Sequence, residues 1–387
     1  MSSIANPSDC EQKTLLETLK TILRLSEGVV AIPLRYGNQS TDAIVLALAM
    51  LDYGYDPQSL SDNLWTHLTD EHNKIAELSQ FLSPVGGSLD RVVNLKGITP
   101  KVPLNWEAVA DRFQQSQPLK KQLEEWTSPF FYELLIPMKA KGKTPTPSDG
   151  STSSRSRNLK QKLLDRDGWL SAVGRVMDLS APWPMIPNQD YDHLEVAHII
   201  PFSASSSSSF RTILSRFASQ DICDLLTGQS INDPFNALLL DAKSHKFFDS
   251  FQFGLECQNG RYVLRKLGTK LPNEVHRHDD GDEIVFGRQS QHALPSPLLC
   301  NLHLAVGRVL HASGAAEAID KILQDEDQFN SGDVEGDYWF RVGASYLQRK
   351  LSGLQGLDWF APDRYEDHMD SSSEGDLSTT SRHAVYT

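Results

Sequence analysis

The stretch that decides the reading runs through residues 194–249. It begins with LEVAHIIP (residues 194–201), resumes at NDPFNALLL (residues 232–240) and closes with DAKSHKFFD (residues 241–249). Val196, Ile199 and Ile200 make the first piece strand-like, with His198 near its end. Asn232-Asp233-Pro234 is a turn signal that leads into the apolar run 237–240, a second strand. The third piece follows at once and suits a short helix. On that helix His245 and Asp249 stand four residues apart and share one face.

Those residue types in that order point to metal-assisted chemistry. An imidazole and a carboxylate one helical turn apart can bind one divalent ion from the same side. His198 comes from a different strand and has a ring whose ordinary pKa lies near neutrality, so it suits proton abstraction from water. Asn236 suits holding the turn that carries this histidine through its amide hydrogen bonds. A divalent ion in such a place engages a phosphate oxygen and offsets charge on the leaving oxygen, and the product is phosphodiester hydrolysis. Each residue also has a plainer reading. His198 can be a satisfied strand-end histidine, Asn236 an ordinary turn residue, His245 a helix-surface histidine and Asp249 a helix-ending carboxylate. His303 and His311, eight apart, and the pair His276 and His278 are assigned to structure or solvent.

The segment resembles the HNH endonuclease family with its ββα-metal finger, in the form common in fungal proteins. The resemblance rests on Arg166-Asp167-Gly168 as lead-in, on Ala197 to Pro201 as the first strand, and on Asn236 to Leu240 as the second. His245 to Asp249 supplies the His-x-x-Phe-Asp helix, and residues 298–323 look like the trailing helix. It covers about residues 160–325. It implies that His198 is the general base, Asn236 the middle Asn, His245 a metal ligand and Asp249 the second helical ligand. It also implies a divalent cofactor, Mg²⁺ or Mn²⁺ ahead of Zn²⁺ for a mixed imidazole, carboxylate and water site. Two departures stand out. HNH nucleases often place a ligand immediately before the general base, where this chain has Ala197. Ser171 replaces the usual Cys after Arg-Asp-Gly, and the stretch 169–174 is one residue short.

Working outward, residues 1–138 read as mainly helical. Leu15, Leu16, Leu19, Ile22 and Leu23 recur at helical spacing after Ser8 or Asp9, and Thr41 or Asp42 opens a buried helix over residues 43–51. Residues 106–136 predict another helix, closed by Pro137. Residues 139–158 (KAKGKTPTPSDGSTSSRSRN) read as a flexible linker. The nuclease-like domain is placed at residues 159–270, with residues 211–226 as one amphipathic helix and residues 262–267 as a further strand. Residues 271–360 form a C-terminal helical region, with helices expected over residues 298–323 and 338–351. Residues 361–387 read as an acidic disordered tail. The fold class expected is α+β: a central ββα-metal (HNH) finger flanked by mainly helical N- and C-terminal regions.

The 387 residues carry 37 Lys+Arg against 50 Asp+Glu, a formal net charge of −13. A globally basic coat protein for nucleic acid is thereby excluded. The charge is unevenly spread, however. Residues 151–270 hold 14 Lys+Arg and 12 Asp+Glu, a net of +2, which leaves −15 on the rest. The middle is therefore the place for an anionic partner, DNA first and RNA second. The acidic helical flanks are candidate surfaces for protein partners. Cys10, Cys223, Cys257 and Cys300 lie far apart, which excludes a cysteine zinc ribbon or a disulfide scaffold and fits a reducing compartment. No apolar run reaches about 18 residues, and residues 1–12 lack a signal-peptide pattern. The expectation is an intracellular protein, nuclear or cytoplasmic, neither secreted nor in a membrane. Three functions compete: a metal-dependent endonuclease, a catalytically silent HNH-fold module that binds other proteins, and a non-cleaving DNA binder, for which a net charge of −13 is awkward.

Overall fold

A computed structural model describes residues 7–36, 39–69, 114–140, 150–201, 207–226, 232–287 and 291–329. The N-terminal part is helical, as the spacing predicts, with one hairpin that it does not. Helix α1 (Pro7–Ser26) buries Leu19, Ile22 and Leu23. Strands β1 (Pro33–Tyr36) and β2 (Gln39–Asp42) pair antiparallel. Helix α2 (Ala43–Tyr53) is capped by Asp42, whose carboxylate accepts from the amides of Ile44 at 2.7 Å and Val45 at 3.4 Å. Its run of apolar residues over 43–51 goes with burial of most of them; Ile44, Leu46 and Met50 are fully buried. Helix α3 (Pro57–Thr69) follows.

Helix α4 (Gln117–Pro129) runs through a π-helical turn, Phe130–Leu135, into α5 (Ile136–Lys139). Pro137 therefore does not close this helix. Its missing N–H and its ring, which would strike the carbonyl of residue 133 in a regular α-helix, are absorbed by the wider turn. Residues 106–113 lie outside the described residues. Trp126, Phe130 and Phe131 are fully buried here. Trp126 Nε1 donates to Asn63 Oδ1 at 2.8 Å, and Arg216 donates to the same oxygen at 3.0 Å.

Helix α6 (Gly150–Asp167) reaches back into the stretch read as a linker, so residues 150–158 are helical; residues 141–149 lie outside the described residues. Its C-terminal half docks through Leu159, Leu163 and Leu164, and a docked helix propagates N-terminally at little cost even through Ser and Thr. Strands β3 (Met177–Asp178) and β4 (Tyr191–Asp192) pair in parallel. Strand β5 (Leu194–His198) then waits for its partner across two helices, α7 (Ser208–Phe217) and α8 (Gln220–Leu225). The single helix expected over residues 211–226 is broken at Ala218, whose φ of −125° and ψ of −94° are not helical.

After a 3₁₀ turn, Pro234–Asn236, strand β6 (Ala237–Asp241) pairs antiparallel with β5, from Leu194 opposite Asp241 to His198 opposite Ala237. Helix α9 (Ala242–Asp249) starts on the next residue. Strands β7 (Phe253–Gln258) and β8 (Arg261–Lys266) form a hairpin over Asn259-Gly260, both at positive φ as a tight two-residue turn requires. Helix α10 (Asn273–His276) follows, and strand β9 (Glu283–Ile284), which pairs with β8, is a strand within the region expected to be helical.

The last two helices among the described residues are α11 (Pro297–Ser313) and α12 (Ala315–Phe329), where one helix was expected over residues 298–323. Gly314 ends α11 in the left-handed region, at φ 68°. Helix α11 packs against both α2 and β7, so it joins the N-terminal helices to the centre. A Cβ at its Gly307 would lie 2.6 Å from Leu267 Cδ1, so a larger residue there would have to displace that side chain. The described residues all fall within one unit that ends at Tyr338. The helix expected over residues 338–351 and the acidic tail lie outside the described residues. Among the described residues, no helix is long and apolar enough to cross a membrane.

Candidate active site

Strand β6 (ALLLD) is buried at every position because α6 packs on the β5–β6 pair from one side and α9 from the other. Leu194, Ala237 and Leu239 join Leu159, Leu163 and Leu164 of α6 in one apolar cluster. On the α9 side, Asp241 caps the helix by accepting from the Ser244 amide at 2.9 Å. Phe248 of α9 is fixed from beneath: it stacks on His303 of α11 at 4.0 Å between ring centroids, and Phe251 stacks on the same ring at 4.4 Å. His303 is buried in this contact, and His311 Nε2 lies 2.7 Å from the Phe251 carbonyl oxygen; both have structural positions.

With the helix so placed, His245 lies between two carboxylates. Its Nδ1 is 2.7 Å from Glu195 Oε2 on β5, and its Nε2 is 3.3 Å from Asp249 Oδ2. Burial pushes the His245 pKa down, but Asp249 and then Glu195 outweigh it, and the net shift is upward. The side chains of His245 and Asp249 keep 23% and 18% exposure, enough for solvent or a ligand to reach them.

His198 sits at the other end of β5, half-buried, with Nε2 3.2 Å from Asn232 Oδ1. An amide-oxygen acceptor calls for the hydrogen on Nε2, which makes Nδ1 the basic nitrogen. Asn236, fully buried, ties down the chain just after His198. Its Oδ1 accepts from Ile200 N at 2.9 Å, its Nδ2 donates to Ile200 O at 3.0 Å, and its carbonyl accepts from Ile199 N at 2.9 Å. The side-chain amide thus extends the β5–β6 ladder by one more pair.

A layer further out, Arg166 fixes the turn that carries Asn236. Its buried guanidinium donates to the carbonyls of Pro234 (2.7 Å), Ala237 (3.1 Å) and Ala293 (3.3 Å) and grips both oxygens of Asp167 at 2.9 and 2.8 Å. Burial raises the Asp167 pKa despite this ion pair. Asp178 ties β3 to β5 and α6. It accepts from Leu194 N at 3.0 Å, from the Ser180 amide and hydroxyl, and from Lys160 at 3.2 Å. Burial works to raise its pKa, but these donors hold it below the usual carboxylate range.

The structure therefore brings His245 and Asp249 together, adds Glu195, and places His198 and Asn236 on adjoining ends of β5 and the 3₁₀ turn. Among the described residues, no group of three or more His, Cys, Asp or Glu side chains is arranged to hold a metal ion. The donor pair itself fits one. Two ligand atoms of a single ion, each about 2.0–2.3 Å away, stand roughly 3 Å apart, and Nε2 and Oδ2 are separated by 3.3 Å. Glu195 is absent from the residues singled out in sequence. Its signal was strand parity: it shares a face with Ala197, and it is the one charged residue within β5, on the side that α9 covers.

In chain order, His198 thus ends one strand, Asn236 lies in the turn before the antiparallel strand, and His245 sits on the helix that follows. The model of an HNH endonuclease family matches residues 178–256, about a fifth of the chain, and this supports an HNH-family domain in its middle. The match begins within β3 and ends within β7, so it takes in Glu195, His198, Asn236, His245 and Asp249 but not Arg166. No curated protein and no solved structure matches the chain.

Proposed function

We propose that the HNH-family domain is a ββα-metal finger and a divalent-metal-dependent endonuclease that hydrolyses phosphodiester bonds in DNA, with RNA a second possible substrate. The observation that carries this reading is the 3.3 Å pairing of His245 Nε2 with Asp249 Oδ2 on the helix that follows the His198 strand. When bound, Mg²⁺ or Mn²⁺ (or Zn²⁺) polarises the phosphate and offsets charge on the leaving oxygen. His245 and Asp249 are the residues that would hold the ion. His198 accepts the proton of the attacking water at Nδ1, while Asn232 holds the opposite ring nitrogen. Asn236 keeps His198 aimed by pinning Ile199 and Ile200. Lys243 and Lys246, exposed on α9 beside His245, offer positive charge to the phosphates on either side.

One observation favours a catalytically silent module that binds proteins through its acidic flanks. Ala197 is fully buried, so the position before His198 brings no ligand and the protein supplies two. Nicking of supercoiled plasmid by the purified protein separates the two readings. The nuclease reading expects open-circular product with Mg²⁺, Mn²⁺ or Zn²⁺ and none after EDTA. A folded protein that nicks with none of these metals rejects it in favour of the interaction module.

A further inference from the structure

We propose that Glu195 is a positioning residue for the metal-binding histidine: its carboxylate holds Nδ1–H of His245 so that Nε2 is presented to the ion beside Asp249. This rests on the reading of His245 and Asp249 as ligands.

The geometry is asymmetric about the ring. The 2.7 Å separation on the Nδ1 side is that of a charge-assisted hydrogen bond, whereas 3.3 Å on the Nε2 side is long for one and suits two ligands of a shared ion. The two nitrogens face opposite sides of the imidazole, so a group that fixes one fixes which nitrogen remains for coordination. A carboxylate on the outer nitrogen also makes the inner one a stronger donor. Glu195 reaches the ring because it lies on the α9 face of β5, two positions before Ala197. From the same strand it provides a carboxylate, at Nδ1, where position 197 provides none. Its side chain is 49% exposed and has no role in the core, so replacing it leaves the fold intact.

The test uses full-length protein with ¹⁵N-labelled histidine rings and compares wild type, E195A, E195Q and H245A. In metal-free wild type, the His245 signals should show a hydrogen on Nδ1 held by a carboxylate, and this signature should vanish in E195A. With ¹¹³Cd²⁺ as probe, the coupling should be to His245 Nε2. Zn²⁺ affinity measured by calorimetry should fall by about 10–100-fold in E195A. E195Q, which keeps an acceptor oxygen, should recover part of that loss. Zn²⁺ affinity in E195A within twofold of wild type overturns the assignment, and so does cadmium coupling to Nδ1, which would place the ion on the Glu195 side. If H245A loses Zn²⁺ binding while E195A does not, only the role of Glu195 is rejected. If H245A binds as wild type does, the metal-site reading falls with it.

Discussion

Asn236 spends every polar atom of its side chain on Ile200, and that single residue shows how the site is held. Replacing it with Ala leaves the Ile200 amide and carbonyl buried and unpaired, which should cost about 2–4 kcal/mol by denaturant unfolding. Unfolding within 0.5 kcal/mol of wild type would deny the amide its structural part. Ser244 is the converse case. Its hydroxyl is buried with no hydrogen-bond partner among the described residues, on the first turn of α9. Ser244→Ala should therefore stabilise the protein by about 1 kcal/mol, read as a higher denaturant midpoint with an unchanged slope. His198, Asn236, His245 and Asp249 could be picked out in sequence because their types and spacings are those that a metal-assisted hydrolysis would require. Glu195 and Arg166 owe their places to which side of β5 the helix covers and where residues 234–237 turn. Strand parity tells only that Glu195 shares a face with Ala197; which face α9 covers, and what Arg166 grips, are facts of packing.

At the scale of elements, the short pieces nearest the site were the most legible. Strand β6 is an unbroken apolar run, and α9 begins at a capping Asp; each signal is local and unopposed. Elsewhere a continuous pattern conceals a break. Apolar spacing continues across Ala218 and Gly314, while the backbone there leaves the helical region. The β1–β2 hairpin went unseen because QSTD is a polar four-residue strand that takes its order from pairing with PLRY. Asp178, the tie between β3, β5 and α6, makes stability depend on pH. Its folded pKa is lowered, so its contribution is full above the unfolded value near 4 and is lost as pH falls through the folded value. Asp178→Asn should flatten the acid limb of the stability profile; an unchanged limb would show that other carboxylates set it. Helix α9 should also supply phosphate contacts. Replacing Lys243 and Lys246 with Gln should reduce the slope of log affinity for duplex DNA against log salt by roughly 1.8. A slope equal to wild type would place the DNA elsewhere.

For the whole molecule, the sequence suggests a nuclease-like domain set off by a linker, whereas the contacts show helices from both ends built into its support. Helix α7 packs on the π turn and α3, α11 packs on α2, and buried Lys139 pairs with Asp320 of α12 at 2.8 Å. A protein cut to residues 150–329 would uncover the apolar faces of α7 and α11. It should lose near-UV circular dichroism and bind a hydrophobic dye; native-like spectra would show that the centre folds alone. The net charge of −13 likewise describes the envelope, while the middle third stands at +2. The most direct measurement of the central claim is single-turnover cleavage of end-labelled duplex DNA in Mn²⁺ by wild type and by the folded His198→Ala protein. The expected result is metal-dependent cleavage by wild type and a loss of about 10²–10⁴-fold in rate on substitution. Cleavage by His198→Ala at the wild-type rate would contradict the assignment of His198 as the base.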